Sequence, residues 1–383
     1  MYDVVIVGGG PAGATLGQCL DKNLRVLIIE KREMNQMNRM NRVEMNQNSS
    51  LDFAERNSRE KCCGGLIAPD AQAMLARLGL GIPKEVLVGP QIFTVRTMDF
   101  DNDIERFYIR NYINIDRELF DQWMINLVPD NVSVFKGAIY KGYEEIEDGV
   151  LIKYFFDGVE YTVKSKILIG ADGAASSIRK SIVGEENNRY VSIQEWYETD
   201  NSSPYFSSVF DSEITDFYCW TIPKDNHLII GAAIKERDDV NAKFDLFKKK
   251  LRSKGFILDK FIKRSGAFIL RPKSLNQICM GKGNVFLVGE AAGFISPSSA
   301  EGISYAMKSG MILAEAINES NGRVESFETS GIEAIKIRKN YNSKVKSIKR
   351  NIILKNIKIP AMYNRTLRGF IMKIGIFSCD IIT

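Results

Sequence analysis

Histidine is nearly absent from this chain: His227 is the only one in 383 residues. A multi-histidine metal centre is excluded, as is any Ser-His-Asp arrangement that does not use that one ring. Its setting, P-K-D-N-H-L, reads as an ordinary turn. The six cysteines (Cys19, Cys62, Cys63, Cys219, Cys279 and Cys379) are too scattered for a disulfide framework. The adjacent pair Cys62 and Cys63 lacks partners at zinc-ligand spacing, so no metal is expected and a reducing cytoplasm fits best. No run of about 18 uncharged apolar residues occurs, so no membrane-spanning helix is expected. A core-type strand follows Met1 at once, so no signal peptide is expected. Acid is missing from one region only: residues 334–379 hold twelve Lys or Arg and no Asp or Glu. Since the whole chain has 52 basic and 47 acidic residues, the rest of it is net negative. The same basic region carries apolar residues at helical spacing. It reads either as terminal helices packed on the body with a solvated Lys face, or as a surface that lies on a membrane. No nucleic-acid signature accompanies the charge.

What the sequence does have is one nucleotide site spread over three distant segments. The first opens the chain. Residues 4–7 are apolar and β-branched, as in a strand buried on both faces. Gly8, Gly10 and Gly13 follow as G-x-G-x-x-G, with Pro11 and Ala12 between them. Gly8 permits a tight turn, Gly10 lets the backbone approach a pyrophosphate, and Gly13 lets the next helix pack close. That helix N-terminus offers free N–H groups and a positive dipole end. A second strand, 25–29, ends at Glu30, followed by Lys31. Glu30 stands roughly 20 residues after the glycines, where a ribose-binding acid belongs. The second segment is ILIGADGAASSIRKSIVG, residues 167–184, and the third is GNVFLVGEAAGFISPSSAEGISYAMKSG, residues 283–310. A phosphate loop alone implies only a dinucleotide. The three segments in this order imply FAD, held by a chain that leaves its nucleotide domain and returns.

The expected fold is α/β: a Rossmann-like FAD domain, an antiparallel-sheet substrate domain and a helical C-terminal region. The FAD domain is expected from residues 1–80, 101–185 and 265–330, the substrate domain from 81–100 and 186–264, and the basic helical region from 331–383. Residues 34–59 are polar with repeated Met-Asn and read as a mobile loop. Helices are expected at 68–80, at 115–128 with Asp116 as N-cap, at 245–252 and at 302–317. Strands 132–135, 149–156 and 160–163 read as a meander, while 167–169 and 285–288 return to the buried sheet. From 190 to 268, aromatic strand-like runs predict an antiparallel sheet that roofs a ligand cavity.

Several of these residues carry a family resemblance over about residues 1–318. The chain resembles flavoproteins of the p-hydroxybenzoate hydroxylase fold, and within them the geranylgeranyl reductase family. Asp172, Gly173, Ser176 or Ser177, and Arg179 match D-G-x-x-S-x-x-R. Gly289 and Glu290 stand where the family has G-D, the acid that binds the ribityl chain. Glu keeps the carboxylate but is one methylene longer. Arg117, in I-N-I-D-R-E-L-F-D, matches an arginine near the flavin. K-C-C-G-G-L, from Lys61, is similar to the C-G-G segment of prenyl reductases beside the isoalloxazine. F-Y-C-W-T-I-P-K, from Phe217, is similar to their Y-x-W-x-x-P segment along the lipid cavity.

The resemblance implies an FAD-dependent oxidoreductase that passes a hydride to a C=C bond of an isoprenoid or other lipid-like substrate. Cys63, Gly64 and Gly65 would form the catalytic segment, and Tyr218 and Trp220 would line the substrate cavity. Gly293, Gly302 and Ile303 would complete the flavin loop and the helix start facing the ring. Cys63 reads equally as a small packing residue, and Tyr218 with Trp220 as plain core. Cys62 and Arg179 read as structural. With no second dinucleotide fingerprint, the electron donor stays open between NAD(P)H, ferredoxin and flavodoxin. A monooxygenase or halogenase of the same fold is the competing reading, carried by W-T-I-P, and a non-catalytic flavin sensor is a third.

Overall fold

The computed structural model describes residues 1–33, 61–184, 189–200, 203–321 and 330–381. The 34–59 loop expected from the sequence lies outside them.

The chain opens with β1 (Tyr2–Val7), α1 (Pro11–Cys19) and β2 (Val26–Glu30). Pro11 takes the first helical position, where its missing N–H costs nothing. Next come β3 (Leu66–Ile67), α2 (Pro69–Arg77), β4 (Ile92–Asp99), β5 (Ile104–Asn114) and α3 (Arg117–Asn126). Asp116 caps α3, accepting from the N–H groups of Glu118 and Leu119. Then follow β6 (Val132–Lys136), β7 (Ile139–Ile146), β8 (Gly149–Phe156), β9 (Val159–Gly170) and α4 (Ser177–Val183). The chain continues through β10 (Arg189–Glu198), β11 (Phe206–Phe210), β12 (Cys219–Lys224), β13 (His227–Lys235), α5 (Val240–Ser253) and β14 (Lys260–Leu270). It closes with β15 (Gly281–Lys282), β16 (Val285–Leu287), α6 (Ile303–Asn321), α7 (Ser330–Lys344), α8 (Lys346–Ile357), α9 (Ile359–Tyr363) and α10 (Arg365–Ile374).

Two sheets result. The first runs β15-β16-β9-β1-β2-β6 and is parallel from β16 to β6, with β7 and β8 added as an antiparallel flap on β9. Val4, Val5 and Ile6 pair with Ile167, Leu168 and Ile169 on one side and with Val26, Leu27 and Ile28 on the other. All of these sit in the main core, so the continuous apolar runs are the mark of a sheet covered on both faces. The second sheet runs β14-β10-β13-β12-β11-β4-β5-β3 and roofs the first. One side packs on Phe244, Phe247 and Leu251 of α5. The other carries Trp220, Ile222 and Tyr190.

The domain division differs from expectation in several places. Residues 104–114 belong to the roof, because β5 folds back on β4 as a hairpin with Asp103 at φ 52 in the turn. β3 adds to β5, and β14 stays in the roof to Leu270. Strand β6 is part of the parallel sheet, not of a meander. Residues 159–170 form one strand: its first half pairs with β8 and its second half with β1. The helical tail also divides. Ile337, Tyr341, Val345, Ile348 and Ile352 complete the core of the FAD domain, whereas Tyr363 packs beneath the roof.

Candidate active site

The phosphate loop is built by steric exclusion. A Cβ on Gly8, whose φ is 103, would lie 2.5 Å from the carbonyl oxygen of Ala171. A Cβ on Gly13 would lie 2.0 Å from that of Gly8. Gly310 of α6 is equally tight against the Ala12 carbonyl, at 2.5 Å. Gly10 is different: a Cβ there would meet no atom within 4 Å. It stands at the start of α1, where no side chain caps the helix. This open cradle at a positive helix end fits a pyrophosphate. The buried Asp172 Oδ1 has no partner and could accept only from a donor such as a hydroxyl, not from a phosphate. The other Asp172 oxygen accepts from Ser177 N–H at 3.0 Å, and burial lifts this carboxyl above the usual aspartate range. Gly173 follows at φ 78.

Glu30 closes β2 and is buried, accepting from Gly9 N–H at 2.6 Å. Lys31 is exposed. The next residue, Arg32, is the one that reaches back, donating from Nε to Glu30 at 3.0 Å and from Nη1 to Asp121 at 3.0 Å. Asp121 in turn accepts from Arg117 Nε at 2.8 Å, and Arg117 Nη1 donates to Cys63 Sγ at 3.2 Å. An unbroken polar chain therefore links the phosphate loop to the Cys63 thiol. Asp121 is fully buried; burial would raise its carboxyl, but Arg117 and Arg32 hold it below the usual range. Burial likewise raises the Cys63 thiol, and the Arg117 guanidinium, the Gly65 N–H and the Lys61 charge together more than offset this, so the thiol lies below its ordinary value. The sequence reading missed Arg32 and Asp121. Asp121 had a signal, since it stands four residues after Arg117 on one helix face.

Cys63, Gly64 and Gly65 lead directly into β3, the edge strand of the roof, with Gly65 in the left-handed conformation. A Cβ on Gly64 would strike Ile222 of β12 at 2.4 Å, and one on Gly65, at φ 60, would strike the Ile115 carbonyl at 2.4 Å. At Gly65 a fixed carbonyl and the positive φ both exclude a side chain, whereas at Gly64 the tip of Ile222 would have to move. Buried Lys224 secures the seam, donating to the carbonyls of Gly65 at 3.0 Å and Ile115 at 2.7 Å. Cys62 points away, its Sγ 3.5 Å from the Ser192 carbonyl oxygen.

From the far side, Gly289 and Glu290 begin a short turn that ends at Gly293. Glu290 Oε1 accepts from Leu270 N–H at 3.0 Å. Burial raises its carboxyl, with that N–H and the charges of Lys61 and Arg117 opposing. Glu290, Lys61, Arg117 and Cys63 thus share one locality. The loop to Gly302 and Ile303 is pinned by the roof. Tyr218 donates to the Ser299 carbonyl and Tyr363 to the Ser298 carbonyl, both at 2.7 Å, and Arg271 donates to that of Pro297 at 3.0 Å. Glu301 takes Tyr112 at 2.7 Å and Arg110 at 2.8 Å. Tyr218 and Trp220 share one face, with ring centroids 5.5 Å apart. Trp220 is only 6% exposed and lies flat over Gly231. Arg179 is structural, donating to the carbonyls of Ala291 and Gln277. Among the described residues no cluster suits a metal ion.

Comparison with known proteins agrees with this geometry. A family model described as an FAD binding domain matches residues 1–57. A geranylgeranyl bacteriochlorophyll reductase-like protein of Thermoplasma acidophilum superposes with a TM-score of 0.70 at 18% identity, over 97% of this chain and 99% of that one. The flavin-dependent brominase Bmp2 superposes with a TM-score of 0.62 at 21% identity, over 97% and 92%. The fold is that of FAD-dependent oxidoreductases of the p-hydroxybenzoate hydroxylase type, and the cofactor is FAD. Protein CbrA of Escherichia coli O6:H1 is 34% identical over 98% of this chain and 94% of its own length. Similarity of that extent makes the chain a member of the CbrA family.

Proposed function

We propose that this protein reduces C=C bonds in an isoprenoid or other lipid-like substrate. The observation that carries the reading is the Cys63 thiol, bonded to Arg117 and placed by two glycines against the roof strand β12. The reaction adds a hydride and a proton across one double bond. Bound reduced FAD supplies the hydride. Cys63 Sγ–H supplies the proton to the other carbon, and Arg117 Nη1 holds the thiolate that remains. Lowering the thiol towards the working pH makes it a stronger acid, as general acid catalysis requires. The apolar side of β12 suits a substrate that has few polar groups to recognise.

The test is anaerobic single turnover of the dithionite-reduced holoenzyme with geranylgeranyl lipids. Flavin reoxidation is expected without oxygen. Cys63→Ala should slow it at least tenfold, about 1.4 kcal/mol of barrier, with Cys63→Ser between. Equal rates for wild type and Cys63→Ala would remove the thiol from the reaction. A second reading, monooxygenase or halogenase chemistry, draws on W-T-I-P at Trp220–Pro223 and on the fold shared with the brominase. Turnover of an aromatic substrate that requires oxygen would favour it instead.

A further inference from the structure

Helix α10 docks through a charged residue and turns its apolar side outward. Its inner side is docked: Arg368 makes paired hydrogen bonds to Asp99, both at 2.8 Å, and a third to Asp101 at 2.7 Å. Gly369 lies against Asn102, and Met372 is buried. Leu367, Phe370, Ile371 and Ile374 follow the spacing i, i+3, i+4, i+7 and form one stripe facing the other way. Of these, Phe370 is 63% and Ile374 56% exposed. A helix that merely covers a body turns only its polar side to water; this one exposes an apolar stripe as well.

The chain just beyond extends the stripe. Gly375 ends the helix in the left-handed conformation, and Phe377 follows at φ 61, a strained value for a bulky residue. Cys379 N–H then donates to the Phe107 carbonyl at 2.9 Å and fixes the turn to β5. The result is a phenylalanine held 91% exposed. Around it exposed bases outnumber the one exposed acid of this segment, Asp380. Lys358, Arg365 and Lys373 are exposed, and residues 334–379 contain no acid. Two copies meeting through this face would bring like charges together. A surface of lipid phosphates complements it. Among the described residues no helix is long and apolar enough to cross a membrane.

We propose that α10 and the turn carrying Phe377 dock the protein on an anionic lipid bilayer, with the apolar stripe at the headgroup boundary and the Lys and Arg side chains on lipid phosphates. The inference is independent of the reaction assigned above, because its test uses no substrate.

The experiment is co-sedimentation of the holoprotein with vesicles of equal parts phosphatidylcholine and phosphatidylglycerol, and with phosphatidylcholine alone. Binding to the mixed vesicles is expected, and at least fivefold weaker binding to the neutral ones. Phe370→Ser with Phe377→Ser should abolish it. Lys358→Glu with Lys373→Glu should weaken it by more than about fivefold for each charge lost. Unchanged flavin absorbance and melting temperature verify that each variant is folded. Equal binding to both vesicle types, or binding that survives both double variants, would overturn the proposal. So would a dimer, seen in analytical ultracentrifugation, that the Phe variants dissociate while vesicles bind nothing, since the face would then belong to a second copy of the chain.

Discussion

At the scale of single residues, the three glycines of the phosphate loop do different work and should fail differently. Gly13→Ala drives a Cβ to within 2.0 Å of a backbone oxygen, so the β1–α1 unit cannot close and the protein should not fold. Gly10→Val points into open space, so the fold should survive while FAD is lost. Circular dichroism with flavin absorbance separates the two outcomes; a yellow Gly10→Val protein would contradict the assignment. Cys63 offers a second residue-level test through its pH dependence. The thiolate is the reactive form, and in the native protein Arg117 leads the Gly65 N–H and Lys61 in opposing burial and lowering the thiol pKa. Arg117→Gln removes the charge and leaves burial, so the pKa should rise. Iodoacetamide labelling, followed on the Cys63 peptide by mass spectrometry, should therefore begin at higher pH in the variant. An unshifted profile would show that Arg117 does not govern the thiol.

At the scale of elements, what the sequence discloses depends on how local the determining contacts are. The β1–α1–β2 unit was legible because its strand run, glycine spacing and terminal acid fall within thirty residues. The cap of α3 at Asp116 was legible for the same reason. The partner sheet of 104–114 was not, since nothing in its own pattern states whether it pairs with β4 or with the strands around β9. Nor was Arg32 with Asp121, a contact 89 residues apart. The double role of β9 was hidden because a strand that changes partners halfway shows no break in its own dihedrals, only a change from mixed to continuous apolar residues. Helix α10 illustrates the cost of such a distant contact. Its Arg368 is 5% exposed and pairs with two buried or nearly buried aspartates. Arg368→Ala leaves both carboxylates uncompensated, a loss of roughly 3–5 kcal/mol. Melting temperature should fall and limited proteolysis should cut the chain near α10 first. Arg368→Lys keeps charge without the fork and should lose less. A variant as protease-resistant as wild type would mean that the pair does not hold the helix.

At the scale of the whole molecule, the basic tail is two structures in one run of sequence, and truncation should reveal the boundary. Helices α7 and α8 belong to the FAD domain. Tyr341 is fully buried and donates to the Leu287 carbonyl at 3.0 Å, while Arg338 donates to the carbonyls of Gly283 at 2.7 Å and Val285 at 3.0 Å. Ile337, Val345, Ile348 and Ile352 fill the space beside them. Five buried side chains at about 1.5–3 kcal/mol each amount to roughly 8–15 kcal/mol. That equals the whole stability of an ordinary domain. A chain ending before residue 331 should therefore neither fold nor hold FAD. A chain ending after Asn364 keeps this core and also Tyr363, whose hydroxyl secures the loop at Ser298. It loses only α10 and the turn beyond. It should stay yellow and monodisperse, melt a few degrees lower, and no longer sediment with phosphatidylglycerol vesicles. Flavin content per chain, gel filtration and a thermal melt on the two truncations check this directly. If the shorter chain retains FAD, the tail is an appendage after all; if the longer one loses it, α10 is part of the flavin domain's own support.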